Sequence, residues 1–581
     1  QHWWDFNQDE HLRPRVPHRR ASVTGSDSFY LGATRRPVVV HPHPDRDAVV
    51  ADVLPALERA IATGQREMTS AGLLAFARIG IDAPGHRVLD VASPWLRDGD
   101  QSIRESAALA IGLGAAGDAR CLALLVDVVG DTPAGRRAAG GPVDDRTRSF
   151  AAYGLGLLAS RSDETATKRR AFDALREIVQ QRELKSRDLR VAALQAIGLL
   201  DVDRREYAGA VLAREVLACL DGYFVADLGA GEHELQAHCP TAIARLLDRN
   251  DPDAERFKGR FAAVLEGRGA DGRARARQRA GNAVAQSCAL ALGQLCRPNE
   301  DGDEAGEPDV RYSRVLLDVW HDHADAQTRS FALLALGQIG GAANRTALLR
   351  EFDRASANIE QPWCALALGL YGSAVRKRGD VVDPIVGHTL LDAFEASRNE
   401  EATAALAVAL GLAGVDEAAV PLTRRVYEDL EREVLAAGLC QGLALLGDVG
   451  CRETLREVLT AADRRPQALA TAAVALGRLG DPDVAERLMQ RFAGGESSHE
   501  MRLGVSMALT HVGDRRQVEP LLALLDDPKQ SATVRAGAAQ ALGGIADHQH
   551  FRWNTPLRAN TNYRAAVATL TDRFQGVLDL R

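Results

Sequence analysis

Two strings of alternating histidine and aspartate could hold a metal ion: His41, His43 and Asp45, then His321, His323 and Asp325. Alternate side chains of an extended segment share a face, so either string could present three ligands together. Pro42 and Pro44 favour an extended path for the first, whereas the second follows the apolar run Val315 to Trp320 and reads as a turn between helices. A complete site needs further ligands, which the sequence does not place beside either string. Both are therefore read as solvated loops.

Other chemical motifs fail on spacing. The acidic insertion Asn299 to Asp309, counted from Asp301, puts Asp303 third and Gly306 sixth, as a calcium loop would. Ala305 and Tyr312 then fall fifth and twelfth, where oxygen ligands are needed. The arginines between Gly267 and Arg279 could meet phosphate, but no aromatic side chain interleaves with them. None of the eight cysteines forms a Cys-x-x-Cys pair; Cys121, Cys288, Cys364 and Cys440 lie in apolar helical patterns and are expected to be buried small hydrophobes. There is no phosphate-binding glycine loop and no nucleophile elbow. The expectation is a non-enzyme with no catalytic residue, no cofactor and no assigned metal site.

The elements that would have to position such groups are helices. Hydrophobic residues make up 46% of the 581-residue chain and aromatics only 5%, so alanine, leucine, valine and glycine must form the core, as in closely packed helices. The net charge of −8 gives no positive field for nucleic acid, which is excluded as an expected partner. Of the 71 basic residues 66 are arginine, a chain-wide bias that discounts any single arginine-rich stretch. The longest nearly uncharged apolar stretch, Ala404 to Val415, is shorter than the ~18–20 residues of a membrane span.

A pattern close to Ala-Leu-Gly-x-Leu-Gly recurs along the chain, clearest at Ala475 to Asp481, Ala335 to Gly340 and Ala541 to Asp547. Its third position gives thirteen register marks: Ala77, Gly112, Gly156, Gly198, Ala244, Gly293, Gly337, Gly369, Gly411, Ala444, Gly477, Thr510 and Gly543. The last five are spaced by 33 residues each, and the earlier intervals run from 32 to 49, which reads as one unit carrying insertions. Within a unit, an apolar run such as Glu519 to Leu525 is stopped at Pro528 and followed by a second run from Val534, so each unit is a pair of helices. Such a pair cannot bury its apolar faces alone. Neighbours must stack, which predicts an all-α fold, an α-solenoid of about thirteen hairpins, drawn as one curved rod.

Arginines eight residues before the mark (Arg104, Arg148, Arg190, Arg329, Arg502, Arg535) and aspartates after it (Asp118, Asp201, Asp448, Asp481, Asp514, Asp547) are expected to form charge ladders between adjacent turns. Insertions at about 130–146, 221–235, 250–280, 296–310 and 373–384 should be rim loops. Residues 1–48, with five prolines, are expected to be an extended arm on the first repeats, residues 49–547 the solenoid and residues 548–581 a C-terminal cap. Trp3, Trp4 and Phe6 would anchor the arm, either covering the open end of the first repeat or docking a partner. The chain starts at Gln1 with no methionine before Met68, which suggests a removed signal peptide and a periplasmic or extracellular residence, although a trimmed product would look the same.

The segments Val534 to Asp547 and Ala475 to Met489 resemble HEAT repeats of the short bacterial type found in phycocyanobilin lyases, and the resemblance covers roughly residues 49 to 547. The ends, His2 to Asn7 and Asn562 to Leu580, resemble the flanks of planctomycete-type HEAT-repeat proteins without assigned chemistry. Deoxyhypusine hydroxylase, also built of HEAT repeats, holds iron through His-Glu pairs inside its helices. The two pairs here, His233-Glu234 and His499-Glu500, lie eleven residues before the mark, outside that position, and read as helix starts. What the resemblance implies is a non-catalytic scaffold that binds a protein partner or a second copy of itself. A structural subunit of an extracellular or periplasmic assembly, or a lyase-like or metal-dependent enzyme, are the alternatives.

Overall fold

In the computed structural model, the described residues are 1–12, 43–114, 118–181, 183–268, 281–298, 308–462, 464–493, 498–549, 551–572 and 575–580. They form helices and connecting turns, with a single isolated β-bridge between Ala83 and His86. Among them, no helix is long and apolar enough to cross a membrane.

Each register mark falls in or at the end of the second helix of a hairpin. These second helices are α1 (Arg66–Ile79), α2 (Gln101–Gly114), α3 (Asp145–Ser160), α4 (Arg187–Ile197) and α5 (His238–Arg245). They continue as α6 (Asn282–Leu295), α7 (Ala326–Ile339), α8 (Gln361–Arg378) and α9 (Glu400–Ala413). The last four are α10 (Glu433–Leu446), α11 (Pro466–Arg478), α12 (His499–Val512) and α13 (Ala532–Ile545). Each packs against the next in order. The first helix of each hairpin lies outside and buries one stripe, as Thr165–Gln180 does with Ala171, Phe172, Leu175 and Ile178. The second helices are buried on every side, as α3 is from Thr147 to Ala159 (Arg148 apart), because they have neighbours on both flanks, an outer helix behind and further chain in front.

The curved rod closes. A Cβ added at the mark would fall 2.7 Å from the Cα of Ala196 at Gly156, 2.8 Å from that of Ala335 at Gly293, 2.9 Å from that of Ala367 at Gly337 and 2.8 Å from that of Ala409 at Gly369. In each case the facing alanine stands two residues before the next mark, so glycine is what allows the two backbones to meet. Gly543, the last mark, repeats this relation with Ala75, two residues before the first mark, at 2.6 Å. Helix α13 thus packs on α1 as any repeat packs on its successor. The seam adds ion pairs between Arg59 and Asp526 (2.6 Å) and between Arg78 and Asp547 (3.6 Å). The thirteen hairpins make a ring, with no open end on the first repeat to be covered.

The repeated charges cap helices, and they form the expected ladders between adjacent repeats only in part, as where Asp481 pairs with Arg456 (2.7 Å). Arg148, Arg190, Arg329 and Arg535 donate to the carbonyls of Val129, Gln181, His323 and Leu525, the ends of the preceding helix or turn of their own hairpin (2.7–2.9 Å). Arg104, bonded to Asp144, and Arg190, to Glu232, also reach the next repeat. Asp118, Asp448, Asp481, Asp514 and Asp547 accept backbone amides two residues ahead and so start the following segment. The links between repeats come from other arginines. Arg161 donates to Gly112 O (2.7 Å), Arg249 to Gln294 O (3.0 Å), Arg376 to Gly411 O (3.3 Å) and Arg478 to Ala444 O (2.7 Å), each answering the carbonyl end of a neighbouring inner helix.

The insertions are only partly loops. Pro133–Ala139, His233–Gln236 and Ala254–Leu265 are helical, and α8 runs through Arg378, because apolar residues inside them still find the core. The basic stretch from 269 and the acidic residues 299–307 lie outside the described residues.

Candidate functional site

The inner face of the ring is the surface that a curved solenoid would offer to a partner, and here both ends of the chain fill it. His2–Leu12 is a helix, where an extended arm was expected; residues 13–42 lie outside the described ones. It packs on repeats eight, ten and eleven. Trp4 Nε1 donates to Gln441 Oε1 (2.9 Å), Lys377 pairs with Glu10 (3.1 Å) and Arg478 donates to His11 O (3.0 Å). Trp3 and Trp4 are buried and Phe6 half-buried.

The C-terminal segment crosses from this helix to the other side of the ring. Asn560 N donates to Asn7 Oδ1 (2.8 Å) and Gln338 Nε2 to Asn560 Oδ1 (2.9 Å). Asn562 Nδ2 donates to Ala283 O (2.9 Å) and lies 3.0 Å from Ser287 Oγ, and Thr569 N donates to Asp188 Oδ1 (2.7 Å). The Tyr563 ring stacks on Phe6 at 5.7 Å and meets Phe331 edge-on at 5.6 Å. Leu557, Thr561, Ala565 and Leu570 are buried. The two ends form one hub, bonded to each other and to helices around the ring.

Burial governs the electrostatics of this interior. His238 on α5 is 2% exposed, with the Gln195 amide 2.9 Å from its Nδ1. Burial pushes its pKa down to about 4, against a smaller upward pull from the Ala565 backbone, so the ring is neutral at pH 7. Burial likewise lowers the Arg245 guanidinium to about 10. Where the hub meets the seam, Arg78, His511, Arg552, Trp553, Asn554 and Arg558 line a small open cleft. Its cations are engaged: Arg78 with Asp547, Arg552 with His511, and Arg558 with Leu578 O and Asp579.

The sequence-level metal candidates are separated into unrelated structural bonds. His41 lies outside the described residues; His43 Nδ1 is 3.1 Å from Ile545 O, and Asp45 caps a helix by accepting Ala48 N (2.8 Å). His321 pairs with Glu351 (3.0 Å), His323 Nδ1 accepts Asp325 N (3.1 Å), and Asp325 accepts the amide of Thr328 (2.8 Å) to start α7. Glu234 pairs with Arg187 (2.6 Å), while His499 and Glu500 begin α12. All eight cysteines are free thiols, and seven are buried. Burial raises Cys121, Cys364 and Cys440 to about 12, where no thiolate forms at neutral pH. Among the described residues no three His, Cys, Asp or Glu side chains converge on a metal position. The hub was missed at the sequence level; its only trace was the cluster of Trp3, Trp4 and Phe6 with Asn560, Asn562 and Tyr563 outside the repeat pattern.

Residues 468–493 match the family model of the PBS lyase HEAT-like repeat. A sequence comparison with curated proteins finds no match. Among solved structures, the chain is similar to yeast importin-beta (Kap95p), with 12% identity and a TM-score of 0.39 over 86% of this chain and 69% of that one. It is also similar to the complex of CpcE and CpcF of phycocyanin lyase from Nostoc sp. PCC7120, with 19% identity and a TM-score of 0.27 over 53% of this chain and 93% of that one. Thirteen hairpins in one register, one of them matched by that family model, make the chain a HEAT-repeat protein, an α-solenoid bent into a ring.

Proposed function

We propose that the protein is a non-catalytic scaffold that docks another protein on the outer face of its ring. One observation supports this reading: among the described residues, five of the eight exposed large apolar side chains lie on one arc, with Tyr207, Leu228 and Ile359 elsewhere. Val381 (90% exposed), Ile385, Val420, Tyr427 and Val449 lie on or beside the outer helices of repeats nine to eleven. A patch of this kind costs solubility unless a partner covers it. The inner face is taken by the hub, so binding by the concave surface requires the hub to leave.

The test is cross-linking and co-purification from the native source, followed by binding measurements on the purified pair. The double variant Ile385→Asp, Val420→Asp should bind the captured partner at least tenfold more weakly, the loss expected when charges enter an apolar contact. Unchanged affinity, or cross-links confined to other arcs, would remove the reading. Light scattering on the isolated chain identifies a second copy as the partner, and bound metal or a chromophore in the native protein would favour an enzyme instead.

A further inference from the structure

We propose that the hub is a latch: it holds the ring shut, and when it is withdrawn the ring opens at the seam between α13 and α1. The thirteen inner helices make thirteen lateral contacts, and in every one but the last the polypeptide itself runs from one repeat into the next. The seam alone has no connecting chain. It is held by the approach of Gly543 on Ala75, the buried pair of Arg78 with Asp547 (3.6 Å), the exposed pair of Arg59 with Asp526, and the hydroxyl of Thr533 on Glu67 (3.0 Å). Exposed pairs of this sort add little. The energy of a solenoid is a sum over neighbouring repeats, so small errors in curvature accumulate along it and appear together as a gap at its ends.

The hub removes that freedom by tying distant parts of the circle to one body. Its N-terminal helix is fixed on α8, α10 and α11 through Lys377, Gln441 and Arg478, and its C-terminal segment on α4, α6 and α7 through Asp188, Ser287 and Gln338. The same segment reaches the seam, where Trp553 and Asn554 line the cleft beside Arg78 of the first repeat and Gln540 of the last. With both sides of the seam set beside a body that is fixed elsewhere on the circle, their effective concentration is set by that body and not by the slack of thirteen repeats.

The full chain carries the test. Spin labels at Glu67→Cys and Thr533→Cys span the seam. Labels at Glu433→Cys and Gln467→Cys span an internal step within one residue of the same register, where Gln467 N donates to Glu433 (2.9 Å). A sample without introduced cysteines controls for Cys219, the one native thiol that is partly exposed. The latch is loosened by Asn562→Ala with Tyr563→Ala, or by the milder Asn7→Ala if the double variant fails to fold, and faster hydrogen exchange over 554–570 verifies the loosening. The proposal expects a second, longer seam distance, an unchanged internal distance, and at least tenfold faster exchange in α1 and α13 than in α9. A seam that keeps its single short distance after the hub has loosened would overturn it. So would equal broadening of both pairs, since that is general softening.

Discussion

His238 makes the interior sensitive to acid. In the folded ring it is neutral, with a pKa pushed down by burial to about 4, whereas the unfolded chain binds a proton from about pH 6.5 downward. Between those values the unfolded state carries more protons, so stability is full above about pH 6.5 and is lost as the pH falls toward 4. The full loss from this one group is about 3 kcal/mol. Thermal unfolding followed from pH 7 to 4 should show a steeper decline for the wild type than for His238→Gln, which keeps a polar group near Gln195 and cannot take up the proton. Parallel curves for the two proteins would refute the assignment.

The decisive feature of the inner helices is a missing side chain. A Cβ on Gly337 would lie 2.2 Å from Ala367 O, a contact that backbone must move to relieve. Gly337→Ala should therefore destabilise the protein by about 1–3 kcal/mol, although alanine is the better helix former. Gly222 offers the contrast: it lies within Tyr207–Val225, with nothing within 4 Å of its added Cβ. Gly222→Ala should stabilise by about 1 kcal/mol, the intrinsic helical preference alone. Chemical denaturation of both variants checks the pair, and the same sign for both would mean that inter-helix approach does not select glycine at the marks.

At the scale of the molecule, the seam itself is close packing of small residues, with the Arg78 and Asp547 pair buried in it and the Arg59 and Asp526 pair exposed at its edge. Salt screens exposed pairs and leaves buried packing nearly untouched. Small-angle scattering should therefore give the same closed-ring profile, with the same maximum dimension, in dilute buffer and in about 1 M salt. A larger dimension at high salt would place the weight of closure on charges instead.

The hairpin, its length and its register were legible in the sequence, because a 33-residue spacing of small residues among apolar ones is a local signal that each repeat restates. The Arg and Asp positions were visible too, but their role as caps was not, since sequence spacing does not say which carbonyl or amide a side chain faces. The scattered apolar residues from Val381 to Val449 likewise gave no pattern until the outer helices were in place. Ring and hub belong to the tertiary structure alone. Whether thirteen repeats make a rod or a circle depends on the angle at each step, set by the sum of many contacts, and the hub's bonds join residues such as Asn7 and Asn560 that are 553 positions apart. Local periodicity determines which helices form and which faces they bury; the accumulated curvature decided what those faces enclose.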